Sequence, residues 1–321
     1  MIEAIAMAQA WELAHDPSVI VLGEDVGRSG GVFRATAGLM ERFGADRVQD
    51  TPLAENMIGG MCVGLAAQGM KPVAEIQFMG FVYPALDQIV NHISRLRHRT
   101  RGRLSCPVVM RMPHGGGIHA PEHHSEAVES MLAHIPGIRV VCPSSPGRAY
   151  GLLLAAIREP DPVIFLEPTR IYRYVKQEVA DDGTALPLDV CYTLREGEDV
   201  TMVTWGAMTV EVLQAADQLA AQGVSAEVID LATISPIDAS TILESVARTG
   251  RLVIVHEAAR NCAVGAEIAA LVADEGLYDL VAPIKRVTGY DTVMPLYRLE
   301  NEFIPSVTRI VDAVHATLEQ S

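Results

Sequence analysis

The sequence predicts an α/β protein built from two parallel-sheet domains with flanking helices. Three observations carry that expectation. Short apolar runs alternate with stretches of helical length along most of the chain. Aromatic residues are only 5% of the composition, which suits helices packed closely on a sheet better than an all-β sandwich. With 49% hydrophobic and 20% charged residues, the 321-residue chain can fill two cores and is too weakly charged for disorder.

The elements follow in order. Residues 3–15 carry Glu3 and Glu12 without a basic leader, so they read as a helix rather than a signal peptide. Apolar runs at 18–22, 72–77, 106–111, 138–142 and 162–166 are strand candidates. Between them, 54–69, 82–98 and 146–158 are helix candidates. Ser144, Ser145 and Pro146 suit a cap followed by proline in the first turn of the last of these. Gly59 and Gly60 lie inside the apolar 54–69 pattern, where close backbone approach is the favoured use. Residues 168–198 are rich in Pro, Gly and charge and read as a linker. A boundary near 185 gives domains 1–185 and 186–321. The second half continues with strands 199–205, 224–231 and 251–257. Its helices are 209–222, 263–275 and one running from Pro236 and Asp238 to Gly250. In 209–222, Val210, Leu213, Ala216 and Ala220 fall near one face, and Gly223 is the expected stop.

Charge and cysteine content exclude several classes. Twenty-five Lys and Arg against 40 Asp and Glu give −15, with no basic field to gather nucleic acid. Cys62, Cys106, Cys142, Cys191 and Cys262 are odd in number and widely spaced, so a reducing, cytoplasmic compartment is expected. The longest uncharged run, Asn56 to Met70, is shorter than the ~20 residues a membrane span needs.

Three features bear on chemistry. Gly30-Gly31, Gly59-Gly60 and Gly115-Gly116-Gly117 match neither phosphate-loop pattern, although the last, in a loop after a strand, suits a mobile or ligand-hugging segment. MPHGGGIHAPEHHSE holds His114, His119, His123 and His124 within eleven residues. A transition-metal site, acid–base or polar ligand contact, and a solvated loop all remain open for it. Glu55 opens an otherwise apolar helix. It is either a first-turn acid favoured by the helix dipole or a desolvated acid suited to proton exchange.

Longer stretches carry a resemblance. VLGEDVG (21–27), GGVFRAT (30–36), DTPLAE (50–55), PVAEIQFMGFVYPALDQI (72–89), MPHGGGIHAPEHHSE (112–126) and DPVIFLEPTRIYR (161–173) stand in series. REGEDVTMVTWGAM (195–208), AEVIDLATISPID (226–238) and VTGYDT (287–292) extend it over essentially the whole chain. In this the chain resembles the beta subunit of the thiamine-diphosphate-dependent decarboxylase component of 2-oxo acid dehydrogenase complexes, of the pyruvate or branched-chain type.

The resemblance implies a transketolase-type pyrimidine-binding domain followed by a transketolase C-terminal-like domain. It implies an α2β2 heterotetramer that decarboxylates a small 2-oxo acid and passes the acyl group to a lipoyl domain. The lipoyl and peripheral subunit-binding domains of a dihydrolipoyl acyltransferase become expected partners, and nucleic acid and membrane do not. The chain has no G-D-G motif, Asp182-Gly183 in the linker being the nearest match, so the alpha subunit is expected to hold the diphosphate and its magnesium. Activity is expected only with that alpha chain.

By the same resemblance, Glu55 hydrogen-bonds the aminopyrimidine ring and Phe81 packs on it, with Gln77 in the same pocket. His124 matches a histidine beside the reacting carbon, with proton donation during acyl transfer as its role; His119 and His123 order the loop. A potassium ion is implied at Val108, Ala156, Ile157, Glu159 and Asp161, mostly through backbone carbonyls, where members often carry Asp and Asn at the last two positions. Two alternatives stay open: the beta subunit of an acetoin-cleaving thiamine enzyme, and a non-catalytic docking or scaffold chain.

Overall fold

The computed structural model describes residues 1–319. Contacts divide it into two compact units, one of Met1–His114 with Met131–Leu188, the other of Gly115–Ser130 with the chain from Asp189 onward. The histidine-bearing segment therefore clusters with the second unit, although it lies within the first 185 residues.

The first unit contains strands β1 (Val19–Gly23), β2 (Val48–Asp50), β3 (Lys71–Glu75), β4 (Val109–His114), β5 (Arg139–Val141) and β6 (Val163–Pro168). All pair in parallel, in the order β5-β6-β4-β3-β1-β2. β1, β4 and β6 are buried along their whole length, as in a sheet covered on both faces; β1 is an apolar run, while β4 and β6 bury Arg111, His114 and Glu167 among their apolar residues. Its helices are α1 (Ile2–His15), α2 (Leu39–Phe43), α3 (Glu55–Ala67), α4 (Leu86–Asn91), α5 (Leu96–Arg99) and α7 (Pro146–Arg158), while α6 (Glu129–Ala133) straddles the division. α7 begins as expected, with Ser145 accepting the Arg148 N–H and Pro146 in the first turn. Such a cap contributes about 1 kcal/mol.

Two expectations need correction. The single helix over 82–98 is broken into short α and 3-10 pieces, with Pro84 inside one and His92 at φ −124° between others. Ala85, Ile89 and Ile93 are nevertheless all buried, so the i, i+4 spacing survives the breaks and imitates one helix. The second half of the linker is packed: Leu186 donates its N–H to the Gly151 carbonyl, and Gly183 donates to Tyr150 Oη.

Close approach explains Gly59 but not the other glycines of α3: a Cβ on Gly60 would meet Gln88 at an ordinary 3.6 Å, and one on Gly64 would meet nothing within 4 Å. A Cβ on Gly59 would stand 2.8 Å from Cβ of Gln88, so α3 and α4 meet at a distance only glycine permits.

The second unit carries β7 (Tyr192–Arg195), β8 (Val200–Thr204), β9 (Ala226–Asp230), β11 (Leu252–Val255) and β12 (Lys285–Val287), in the order β12-β11-β8-β9-β7. β10 (Thr233–Ser235) does not join this sheet. The pairings are parallel except that of β7, an antiparallel edge strand with a register shift that arises inside the expected linker. Its helices are α8 (Thr209–Ala221), α9 (Ala239–Thr249), α10 (Val264–Glu275), α11 (Tyr297–Phe303) and α12 (Val307–Leu318). The buried face of α8 is Thr209, Val212, Ala215, Ala216 and Leu219. The expected stripe was rotated: Ala220 is exposed, and Val210 and Leu213 are only partly covered. Val212, Ala216 and Leu219 pack with Ile310 and Val314 of α12 in one core, so that helix fixed the rotation. Among the described residues no helix is long and apolar enough to cross a membrane.

Candidate active site

In an open parallel sheet, ligands settle beyond the carboxyl ends of strands where the connection order reverses. In the first sheet that point lies between β1 and β3, because β2 flanks β1 on one side and β3 on the other. Glu24 and Asp25 follow β1 directly, and Gln77 follows β3 by two residues. Gln77 Nε2 donates to Asp25 Oδ2 at 3.4 Å. β2 leads into the DTPLAE turn; Asp50 Oδ1 accepts the Gly27 N–H at 2.6 Å, and Thr51 N–H bonds the Gly23 carbonyl. That turn delivers Glu55 as the first residue of α3, partly exposed.

Glu24 belongs with these candidates on geometry. It is 5% exposed, and among the described residues its Oε1 has no hydrogen-bond partner. Burial pushes its carboxyl above the usual range, the Glu55 charge adds to this, a backbone hydrogen bond from Ala54 opposes it, and Asp25 adds a smaller push. The VLGEDVG motif by itself assigns Glu24 no role. The available signal was an acid pair directly after a buried strand.

Phe81, partly exposed, ends a 3-10 turn and meets Phe78 edge-on at 5.5 Å. Phe78 in turn meets Phe33 at 5.3 Å. The first unit thus gathers the carboxyls of Glu24, Asp25 and Glu55, the Gln77 carboxamide and an aromatic wall near one strand-end region. That donor set suits a flat heterocycle with hydrogen-bonding edges. It contains no glycine-rich phosphate loop.

The histidines have different surroundings. His114 is buried as the last residue of β4, and its carbonyl accepts from Thr169. His119 is exposed and its Nδ1 lies 2.9 Å from Glu300. His123 and His124 end a 3-10 turn, the first exposed and the second half-buried. Among the described residues no group of three or more His, Cys, Asp or Glu side chains could hold a metal ion.

At the implied potassium positions, Val108 gives its carbonyl to the Val163 N–H. Ala156 and Ile157 lie in the last turn of α7, where carbonyls lack intrahelical donors and the dipole favours a cation. The Glu159 and Asp161 carboxylates are engaged by Arg139 and Arg97 respectively. Backbone oxygens are therefore the donors these positions offer.

Comparisons agree with this architecture. The transketolase pyrimidine-binding domain model matches residues 1–175, and the transketolase C-terminal domain model matches 190–310. The Bacillus subtilis pyruvate dehydrogenase E1 component subunit beta is 46% identical over 319 residues, covering 99% of this chain and 98% of that protein. This chain belongs to the family of 2-oxo acid dehydrogenase E1 beta subunits. The Acholeplasma laidlawii protein of the same name is 48% identical over 97% of this chain and 95% of its own length. A solved split gene transketolase, described as an inactive beta4 tetramer, matches with a TM-score of 0.82 at 25% identity, covering 99% of this chain and 97% of that one. Both domain types expected from the resemblance are present. The Bacillus subtilis and Acholeplasma laidlawii relatives carry the pyruvate dehydrogenase name, so the acetoin-cleaving and scaffold alternatives are not favoured.

Proposed function

We propose that this chain supplies the coenzyme-activating half of a thiamine-diphosphate-dependent dehydrogenase that decarboxylates pyruvate, with an alpha subunit supplying the diphosphate and magnesium grip. The observation that carries the reading is Glu55 at the mouth of α3 beside buried Glu24, at the reversal point of the first sheet. Glu55 holds a proton against a ring nitrogen of the pyrimidine. Glu24, whose own carboxyl is raised above the usual range first by burial and then by the Glu55 charge, places a second acid beside that proton. Phe81 offers the ring a flat apolar face, and Gln77 orients one polar edge. The coenzyme, when bound, supplies the electron sink for carbon dioxide loss.

His124 acts in the second half-reaction, passing a proton at the acceptor as the lipoyl disulfide opens, one sulfur taking the acyl group and the other the proton. Potassium, held by backbone oxygens at Val108 and the end of α7, would brace the first unit. The absence of a phosphate loop and the inactive beta4 state named for the transketolase relative support a chain that works only with its alpha partner. Five free cysteines accord with a reducing cytoplasm.

The test is Glu55→Gln in the reconstituted α2β2 enzyme. Turnover of pyruvate should fall by roughly three orders of magnitude or more, in line with general acid–base contributions, while assembly persists. Full turnover by Glu55→Gln, or pyruvate decarboxylation by the chain alone, would overturn the proposal.

A further inference from the structure

The segment 115–130 carries His124 and is tied down at both ends within the second unit. Glu300, in α11 and 1% exposed, is the main tie at the start. Its Oε1 accepts the Gly117 backbone N–H at 2.7 Å. Its Oε2 accepts the His119 N–H at 3.2 Å and lies 2.9 Å from His119 Nδ1. Tyr297, three residues earlier on the same helix, meets the His119 ring edge-on at 6.2 Å. The glycine run has its use here. A Cβ on Gly116 would strike the Met294 methyl, and one on Gly115 would strike the Glu257 carboxylate. Gly115 and Gly117 also take φ of +82° and +88°, which glycine adopts without strain. At the far end, Glu129 Oε1 accepts the Trp205 indole N–H at 3.2 Å.

A carboxylate removed from water is retained only where donors satisfy it. Glu300 has three such contacts, all from one three-residue stretch of the loop. No apolar side chain could take the two backbone N–H groups. A carboxamide could accept from them but would lose the charge facing His119.

We propose that Glu300 is a positioning residue, which through Gly117 and His119 holds the loop so that His124 stands where acyl transfer requires it. This rests on the reading of His124 given above. The glycine-rich loop hugs carboxylates and a methionine of its own unit, and Glu300 replaces the ligand that its sequence suggested.

The test uses the reconstituted heterotetramer, with amide hydrogen exchange over residues 115–130 and separate assays of dye-coupled decarboxylation and lipoyl acylation. Glu300→Ala should speed exchange at Gly117 and His119. It should also lower acylation relative to decarboxylation by roughly 100-fold, the scale of a misplaced catalytic group. Glu300→Gln, which keeps the backbone acceptor, should recover part of both. His124→Ala should lose acylation while the loop amides stay protected. A residue with a merely structural role would lower both half-reactions together. Should Glu300→Ala fail to assemble, Glu300→Gln and His119→Ala still decide, since each removes part of the same tie and must shift the ratio of the half-reactions. Unchanged exchange in the Glu300 variants, or fast exchange with an unchanged ratio, overturns the proposal. Retained acylation in His124→Ala would instead overturn the role of His124, with the exchange data still reporting whether Glu300 anchors the loop.

Discussion

Arg111 in β4 and His256, next after β11, are both 0% exposed, yet the two units accommodate them in opposite ways. Around Arg111 the donors and acceptors match. Its Nε and Nη2 reach both oxygens of Glu167 at 2.6 and 3.1 Å, and Nη1 reaches Glu75 at 3.0 Å and Gln9 at 3.2 Å. Tyr172 Oη donates to Glu167 as well. Burial works against the Arg111 charge, but the Glu167 and Glu75 carboxylates outweigh it. One guanidinium faces two acids, so burial, opposed by Arg111 and aided by Glu167, leaves Glu75 above its usual range. His256 instead lies stacked on Trp205 at 5.1 Å, and neither ring nitrogen makes a well-formed hydrogen bond. Burial pushes it down to about 4, against the Glu129 charge and a weak contribution from the Ala258 backbone. The facing carboxylates hold the guanidinium in its charged form, whereas burial disfavours the charged form of the imidazole.

That contrast can be broken most forcefully at Arg111. Arg111→Met would strand two buried carboxyls and should cost about 3–5 kcal/mol, the scale of a broken buried ion pair. One tryptophan lies in each unit, Trp11 in the first and Trp205 in the second, so fluorescence-monitored urea unfolding assigns the loss. A wild-type midpoint at Trp11 would remove the cluster's structural role.

The His256 side of the comparison is sharpened by pH. Its folded pKa of about 4 lies below the ordinary 6.5, so below 6.5 the unfolded chain binds a proton that the folded one refuses. Stability should therefore fall as pH drops from 6.5 towards 4, by about 3 kcal/mol for this group. The difference between wild type and His256→Gln, followed at Trp205, isolates that slope from other acids. Parallel curves would mean that the imidazole is not refused its proton.

Glu24 gives the smallest effect, and of the opposite sign to an ordinary paired acid. Its raised pKa makes the folded carboxyl reluctant to ionise, so Glu24→Gln should modestly stabilise the chain above the usual carboxylate range and change nothing below it. Calorimetry at pH 4 and pH 7.5 would show this, and a loss of stability at pH 7.5 would contradict it.

Parallel strands were legible because a strand buried on both faces is largely apolar, as in β1 and β11. The edges were not. β7 is only partly buried, so its sequence looked like linker, and β12 is three residues long with two of them partly exposed. The expectations for Glu55 and His124 each rest on a local motif contained in a short run. Glu300 was not, because its partner Gly117 lies 183 residues away and nothing near α11 marks an acid as buried. Glu24 fell between these cases: its motif was visible, but its burial beside Glu55 depends on the turn that brings β2 into α3.

The seam between α3 and α4 has a further consequence. Glu55 and Gly59 are one helical turn apart, on the same side of α3. The room denied to a methyl group at Gly59 fixes how deeply the helix seats, and with it the aim of the acid at its tip. On the proposed role of Glu55, a substitution at position 59 would act on that acid without touching it. An engineer wishing to detune the acid without touching it could begin with a single added carbon there.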